Sequence, residues 1–286
     1  MQLSGVGIWS SQLEYGDADQ VADAAAELDE LGYTALWIPD VGGPVLRAVE
    51  HLLATTKRAV IATGILNLWM HEPSDVAAWY ASVTESHGER LLLGIGCSHA
   101  PLIDSTEAGR YRKPLAATRA FLDAIDATET PVAVDNRVLA ALGPKMLELS
   151  ATRARGAHPY LVTPDHTRAA REVLGDGPLL LPEQTVFLAD SRDEARAVGT
   201  DWLRAYLALP NYANNLLRCG FTHDDIDSVT DRLFDAIIAW GDEQAIARRV
   251  EEHKQAGADH VCVQALTADQ REFPREQWRR LAPALT

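Results

Sequence analysis

A single α/β domain of eight parallel strands alternating with helices, a (β/α)8 barrel over residues 1–286, is predicted by three observations. Two apolar runs, at 58–68 and 90–99, are too short to cross a membrane and too uniformly apolar for a strand with one wet face, so both read as strands buried on two sides. A helical segment at 73–87 joins them into a βαβ unit. Each run ends in Gly and then in polar residues, Asn67 and His71 after the first, Cys97, Ser98 and His99 after the second, which is where a parallel barrel collects reactive side chains. A doubly wound open sheet is the alternative, and the strand count favours the barrel.

Taken in order, residues 5–9 form the first strand, and Val21, Ala24, Ala25, Leu28 and Leu31 make the apolar stripe of a helix over 17–31 that Gly32 stops as a left-handed cap. The second strand, 34–38, ends in Pro39-Asp40, and a helix over 44–57 follows. After the central unit, 100–110 reads as a loop longer than most connections, a length often tied to function. A helix at 112–127 leads to the fifth strand at Arg137, then to a Gly143 turn and a helix opened by Pro144. The sixth strand is placed at 157–162, after which Thr163 caps a helix to Leu174. A Pro-rich link, 178–182, precedes the seventh strand at 185–188. Two helices, 191–209 and 224–240, are separated by Pro210-Asn-Tyr-Ala-Asn-Asn; a helix over 242–255, closed by Gly257, the eighth strand at 259–264 and a terminal helix over 274–281 complete the pattern.

Composition narrows the function. A formal charge of -15, with 26 Lys and Arg scattered and unclustered, argues against a nucleic-acid partner. No run of about 18 apolar residues and no basic-then-apolar leader appears, so neither a membrane nor a secretory route is expected and the cytoplasm is the expected compartment. Cys97, Cys219 and Cys262 are odd in number and widely spaced, which fits a reducing compartment and no disulfide framework or zinc site. No two of the nine His have the spacing that places metal ligands on one helix face, and no Walker or Gly-x-Gly-x-x-Gly fingerprint appears. Trp202 and Trp240, at helical spacing from apolar neighbours, read as core or interface.

Several segments then resemble one family, in order and over almost the whole chain: Gly32-Tyr-Thr-Ala-Leu-Trp-Ile-Pro-Asp40, Ala62-Thr-Gly-Ile-Leu66, Pro73 with its Ala-rich helix, Arg90-Leu-Leu-Leu-Gly-Ile-Gly96, Ala140-Ala-Leu-Gly-Pro-Lys-Met146, Gly156-Ala-His-Pro-Tyr160 and Arg280-Leu-Ala-Pro-Ala-Leu285. They resemble the bacterial luciferase-like superfamily of TIM barrels, and within it the oxidoreductases that use the deazaflavin coenzyme F420. The resemblance implies hydride transfer between F420 and a small organic substrate. An FMN-dependent monooxygenase is the alternative, as is a barrel that binds flavin or deazaflavin without turnover, and a homodimer is left open.

The resemblance also implies site residues. Thr63, Gly64 and Ile65 match a strand-three bulge whose non-proline cis peptide, here between Gly64 and Ile65, backs the deazaflavin ring. Gly96 lets backbone approach that ring, and Cys97 and Ser98 offer polar contacts at its edge. His99 takes the position of a proton-donating side chain, for which imidazole is suited by its ordinary pKa near 6.5. Asp40 matches an acid commonly followed by a basic His, but Val41 stands in that place here. Asp40 is thus a candidate for catalysis or for binding the ring's polar edge, while His71 reads equally as facing the pocket or as preceding a helix. Ala141, Leu142 and Gly143 open a helix whose free amides attract an anion, and with Ala157 and His158 are implied to hold the cofactor phosphate.

Overall fold

The computed structural model describes residues 3–286. The chain opens with strand β1 (Gly5–Trp9), helices α1 (Gln12–Tyr15) and α2 (Ala18–Glu30), β2 (Ala35–Ile38), α3 (Val45–Thr55) and the split strand β3 (Val60–Thr63) and β4 (Leu66–Asn67). It continues through α4 (Pro73–His87), β5 (Leu91–Gly96), α5 (Ala100–Thr106), α6 (Pro114–Asp126), β6 (Arg137–Leu139), α7 (Pro144–Arg153), β7 (Gly156–Ala157), α8 (Pro164–Leu174), β8 (Leu179–Leu180) and β9 (Glu183–Leu188). A helical layer, α9 (Arg192–Leu207), α10 (Pro210–Arg218), α11 (His223–Ser228) and α12 (Asp231–Ile237), precedes β10 (Ala239–Gly241), α13 (Glu243–Gln255), β11 (His260–Ala265) and α14 (Arg275–Leu285).

All strand pairs are parallel, and the sheet runs β10-β9-β11-β1-β2-β3-β5-β6-β7-β8 with β4 on β5. β8 and β9 are two halves of one barrel strand. Between them Leu181 N–H donates to Ala157 O at 2.9 Å on one side, and Pro182 O accepts from Cys262 N–H at 3.0 Å on the other, which closes the ring at its seventh position. The expected eight positions are therefore filled, and β10 is an addition outside them, paired only with the upper part of β9.

Local chemistry explains the elements. Asp17 caps α2 by accepting from the Asp19 and Gln20 amides, a device with a typical value of ~1 kcal/mol. The helix buries Val21, Ala24, Ala25 and Leu28 against the barrel. β2, β3 and β5 are buried at every residue, as strands covered on both faces must be.

Five expectations are corrected. The segment 100–110 is not all loop, because α5 starts with Pro101 in its first turn, where the missing N–H costs nothing. The sixth strand stops at Ala157; Pro159 has no N–H to offer a ladder, and Leu161 takes a left-handed φ of 57°. The link 178–182 holds β8, and the seventh strand begins at Leu179. The stretch after Leu209 is helix α10, with Pro210 again in the first turn. Finally, 224–240 is divided by Val229 at φ 48° and a new cap at Thr230, and its end, Ala239–Gly241, is strand.

Four hydrophobic clusters result among the described residues. The largest joins the barrel to its outer helices; the second, including Leu203, Tyr212, Leu216, Leu233 and Phe234, joins α9–α12 to Phe187 of β9; two smaller ones centre on Trp37 and on Ala157. Among the described residues no helix is long and apolar enough to cross a membrane, and no cluster of His, Cys, Asp and Glu is placed to hold a metal ion.

Candidate active site

A cavity of about 480 Å³ opens at the carboxyl ends of the strands, between the barrel mouth and the α9–α10 layer. Of the residues singled out from sequence, Asp40, Gly64, Ile65, Cys97, Ser98, His99, Ala141, Leu142, Gly143 and His158 line it. Thr63, Gly96 and Ala157 lie behind the wall. Thr63 is fully buried and its Oγ1 donates to Gly94 O at 2.7 Å, while Gly96 leaves room for Ile65, since a Cβ there would sit 2.6 Å from Ile65 Cγ1. Ala157 is fully buried.

The barrel side of the cavity is backbone held by rings. The Gly64–Ile65 peptide is cis, as expected, and Gly64 O accepts from Trp9 Nε1–H at 3.0 Å. A Cβ on Gly64 would meet Trp9 Nε1 at 2.8 Å and His158 Nε2 at 3.1 Å, so only Gly fits. His158 is stacked on Trp37 with ring centroids 4.3 Å apart, and its Nδ1 lies 2.7 Å from Leu181 O. Burial pulls its pKa down to about 4, so the ring is neutral, and a carbonyl partner requires the proton on Nδ1. Nε2 is then a buried acceptor without a donor. The structure thus brings His158 to the Gly64 peptide, not to the Gly143 turn.

Asp40 Oδ2 accepts from Asn67 N–H at 2.9 Å and from His71 Nε2 at 2.8 Å. His71 therefore turns towards Asp40, and an imidazole reaches this acid from the loop after β4 although Val41 replaces the neighbouring one. Nearby, both carboxylate oxygens of Glu14 are buried without a hydrogen-bond partner. Burial pushes that carboxyl up to about 8, with the neighbouring Tyr15 hydroxyl opposing the shift and the charge of Asp40 adding to it.

At the end of β5, Cys97 O accepts from Trp69 Nε1–H at 2.9 Å, and Ser98 adopts a left-handed φ of 52°, a conformation a non-Gly residue holds where its surroundings enforce it. His99 follows as the residue before α5, and its Nδ1 lies 3.0 Å from Asn211 Oδ1 on α10. Burial lowers its pKa, with the Asn211 bond opposing the shift.

At the far end, Gly143 precedes α7 with no side chain capping the first turn; Pro144 has no N–H and Met146 N–H donates to Gly143 O at 3.1 Å, which leaves Lys145 N–H as the uncapped amide of that turn. The Arg218 guanidinium approaches it: a Cβ on Gly143 would lie 3.6 Å from an Arg218 terminal nitrogen. That guanidinium also donates to Asn215 Oδ1 at 3.0 Å, and Asn215 Nδ2 is buried without an acceptor.

Sequence reasoning missed Trp9, Tyr160, Tyr206, Asn211 and Tyr212, which also line the cavity. Trp9, at the carboxyl end of the first strand, carried a usable signal, because that is where reactive side chains gather. The others sit after the irregular sixth strand and on α9–α10, where no periodicity pointed inward. Tyr160 donates to Gln264 Oε1 at 2.6 Å and stands 3.0 Å from the Tyr206 hydroxyl, so the rings form a connected wall.

Comparison with known proteins agrees with this architecture. The model of the luciferase-like monooxygenase family matches residues 3–260. A Mycobacterium tuberculosis protein named as a coenzyme F420-dependent oxidoreductase is 25% identical over 131 residues, 44% of this chain and 37% of that relative, so the match spans little more than a third of the relative's length. Two solved structures are similar over 100% of both chains at 15% identity: an F420-dependent secondary alcohol dehydrogenase with an F420-acetone adduct, TM-score 0.76, and the coenzyme F420-dependent tetrahydromethanopterin reductase of Methanopyrus kandleri, TM-score 0.75. A Baeyer-Villiger monooxygenase of Pseudomonas putida in complex with FMN is similar over 99% of both chains, at 16% identity and TM-score 0.70.

Proposed function

Because the chain belongs to the luciferase-like monooxygenase family, a family of enzymes, we propose that it is an oxidoreductase moving a hydride between coenzyme F420 and a small organic substrate. The observation that carries this reading is the flat wall at Gly64–Ile65: a glycine face with no room for a side chain, its carbonyl held by Trp9, and the unpartnered acceptor His158 Nε2 beside it. These features fit a planar ring with an N–H at its edge. When bound, the deazaflavin supplies the hydride acceptor or donor.

The chain's own residues do the rest. Thr63, Gly96 and Ala157 support the wall, and Cys97 and Ser98 meet the edge of the ring. Asp40, kept in place by Asn67 and His71, binds a polar edge and is a further proton-carrying group within reach of the cavity. Ala141, Leu142 and Gly143 receive the phosphate at the start of α7, with Arg218 as its counter-charge. His99 handles the proton that accompanies hydride transfer. Among the cavity-lining residues Asp40 is the one carboxylate and none is Lys or Arg, while four are Trp or Tyr, so the substrate is a small uncharged molecule with an apolar body.

Fluorescence titration of the purified protein with oxidised and reduced F420, and with FMN, tests the reading. F420 is expected to bind more tightly than FMN. Preference for FMN would make the chain a flavin monooxygenase, and F420 binding with no hydride exchange across a panel of alcohols and carbonyl compounds would make it a binding protein.

A further inference from the structure

An amide oxygen can only accept, so the 3.0 Å contact between Asn211 Oδ1 and His99 Nδ1 requires the proton on Nδ1. A neutral imidazole with its proton there keeps a bare lone pair on Nε2, and no protein group hydrogen-bonds that nitrogen among the described residues. Tyr212, the residue after Asn211, tilts over the same imidazole with ring centroids 5.1 Å apart and an interplanar angle of 50°. Two adjacent residues of α10 therefore set the ring's plane and its tautomer together.

We infer that Asn211 is a positioning residue: it fixes His99 as the Nδ1–H tautomer, so that Nε2 enters the cavity as an acceptor and selects substrates presenting an O–H or N–H at that point. The inference deepens the proposed role of His99 and rests on it. The choice of tautomer runs against the intrinsic preference of histidine in water, which is for the Nε2–H form, and a specific partner is needed to reverse it. The resting enzyme consequently takes up the proton of a donor substrate, and by microscopic reversibility His99 returns it from Nε2 in the opposite direction. Burial lowers the pKa of His99 and keeps this form populated at neutral pH. The titratable groups sharing the cavity are Asp40, Cys97, His158, Tyr160, Tyr206 and Tyr212, and none of them hydrogen-bonds to His99.

The test is a nitrogen NMR measurement on protein labelled with 15N-histidine, free of cofactor and substrate, with the His99 signals identified by their loss in His99→Gln. The wild type is expected to show the Nδ1–H pattern at neutral pH. Asn211→Leu should move His99 to the Nε2–H pattern. Asn211→Asp should keep Nδ1–H and raise the His99 pKa by about one unit, because a nearby carboxylate favours the charged ring; the pH profile of kcat should move with it while cofactor affinity stays within about 3-fold. A wild-type Nε2–H pattern, or an Nδ1–H pattern that survives Asn211→Leu, would overturn the inference. The NMR arms need no ligand, so failure of the F420 reading would show in the titrations and not here.

Discussion

The two walls of the cavity are built on different principles. The barrel wall, Trp9, Gly64, Ile65 and His158, is backbone and locked rings rooted in the barrel, with a glycine that tolerates no added atom. The opposite wall, Tyr206, Asn211 and Tyr212, is side chains on α9 and α10, which rest on a second hydrophobic cluster. A wall of backbone can present a shape but not trade protons; a wall of side chains can do both, and can be altered without touching the first. On the proposed reading, the barrel wall takes the cofactor common to every turnover and the helical wall takes the substrate.

The contrast breaks most sharply at Gly64. Replacing it with Val forces a branched side chain into a place where the first carbon already lies 2.8 Å from Trp9 Nε1, and F420 affinity should fall by roughly 100-fold, a scale set by overpacking. Retained affinity in a folded Gly64→Val protein would move the ring elsewhere. At the junction of the walls, His99→Ala should lower turnover by about 100-fold or more while F420 affinity stays near its starting value. Equal loss of both would make His99 a cofactor ligand, and loss of neither would leave Asp40 or water to carry the proton. At the proposed phosphate end, Gly143→Asp sets a negative charge at the start of α7 and should weaken F420 binding by about 5-fold, equivalent to about 1 kcal/mol; unchanged binding in an isothermal titration would relocate the phosphate.

A separate effect, read in stability and not in binding, concerns Glu14. Its carboxyl is raised from 4.5 to about 8 in the folded chain, so between those values the folded state holds a proton that the unfolded state has released. The stability this supplies is complete below about pH 4.5 and lost as pH rises through 8. Glu14→Gln should flatten that slope and raise the melting temperature at pH 8 relative to pH 5, as read from thermal unfolding at both pH values. A slope identical to the wild type would show that the acid is already ionised.

The two walls also differ in how far they could be read from sequence. The central unit was plain: helix Pro73–His87 and the strands around it follow from apolar runs buried on both faces, and the cis bond at Gly64–Ile65 followed from family resemblance. The other wall was obscure for physical reasons. Pro210 reads as a breaker, yet as a first-turn residue it starts α10. Its neighbours Asn211 and Tyr212 gain meaning through distant contacts, with His99 112 positions away in the chain for the Asn211 bond and with Tyr160 for the Tyr212 ring. Likewise β10 looked like the end of a helix, because its three residues carry no period of their own and are made strand by pairing with β9.

The helical layer α9–α12 packs on a hydrophobic cluster that also takes in Phe187 of β9, Leu161 and Leu266, so it meets the barrel over a few side chains. An opening confined to it would admit ligands while leaving the barrel wall assembled. It would also carry Asn211 away from His99, releasing the imidazole to solvent and to its ordinary tautomer. Hydrogen exchange should accordingly show the amides of α10 opening as a group ahead of those of β1, β2 and β5.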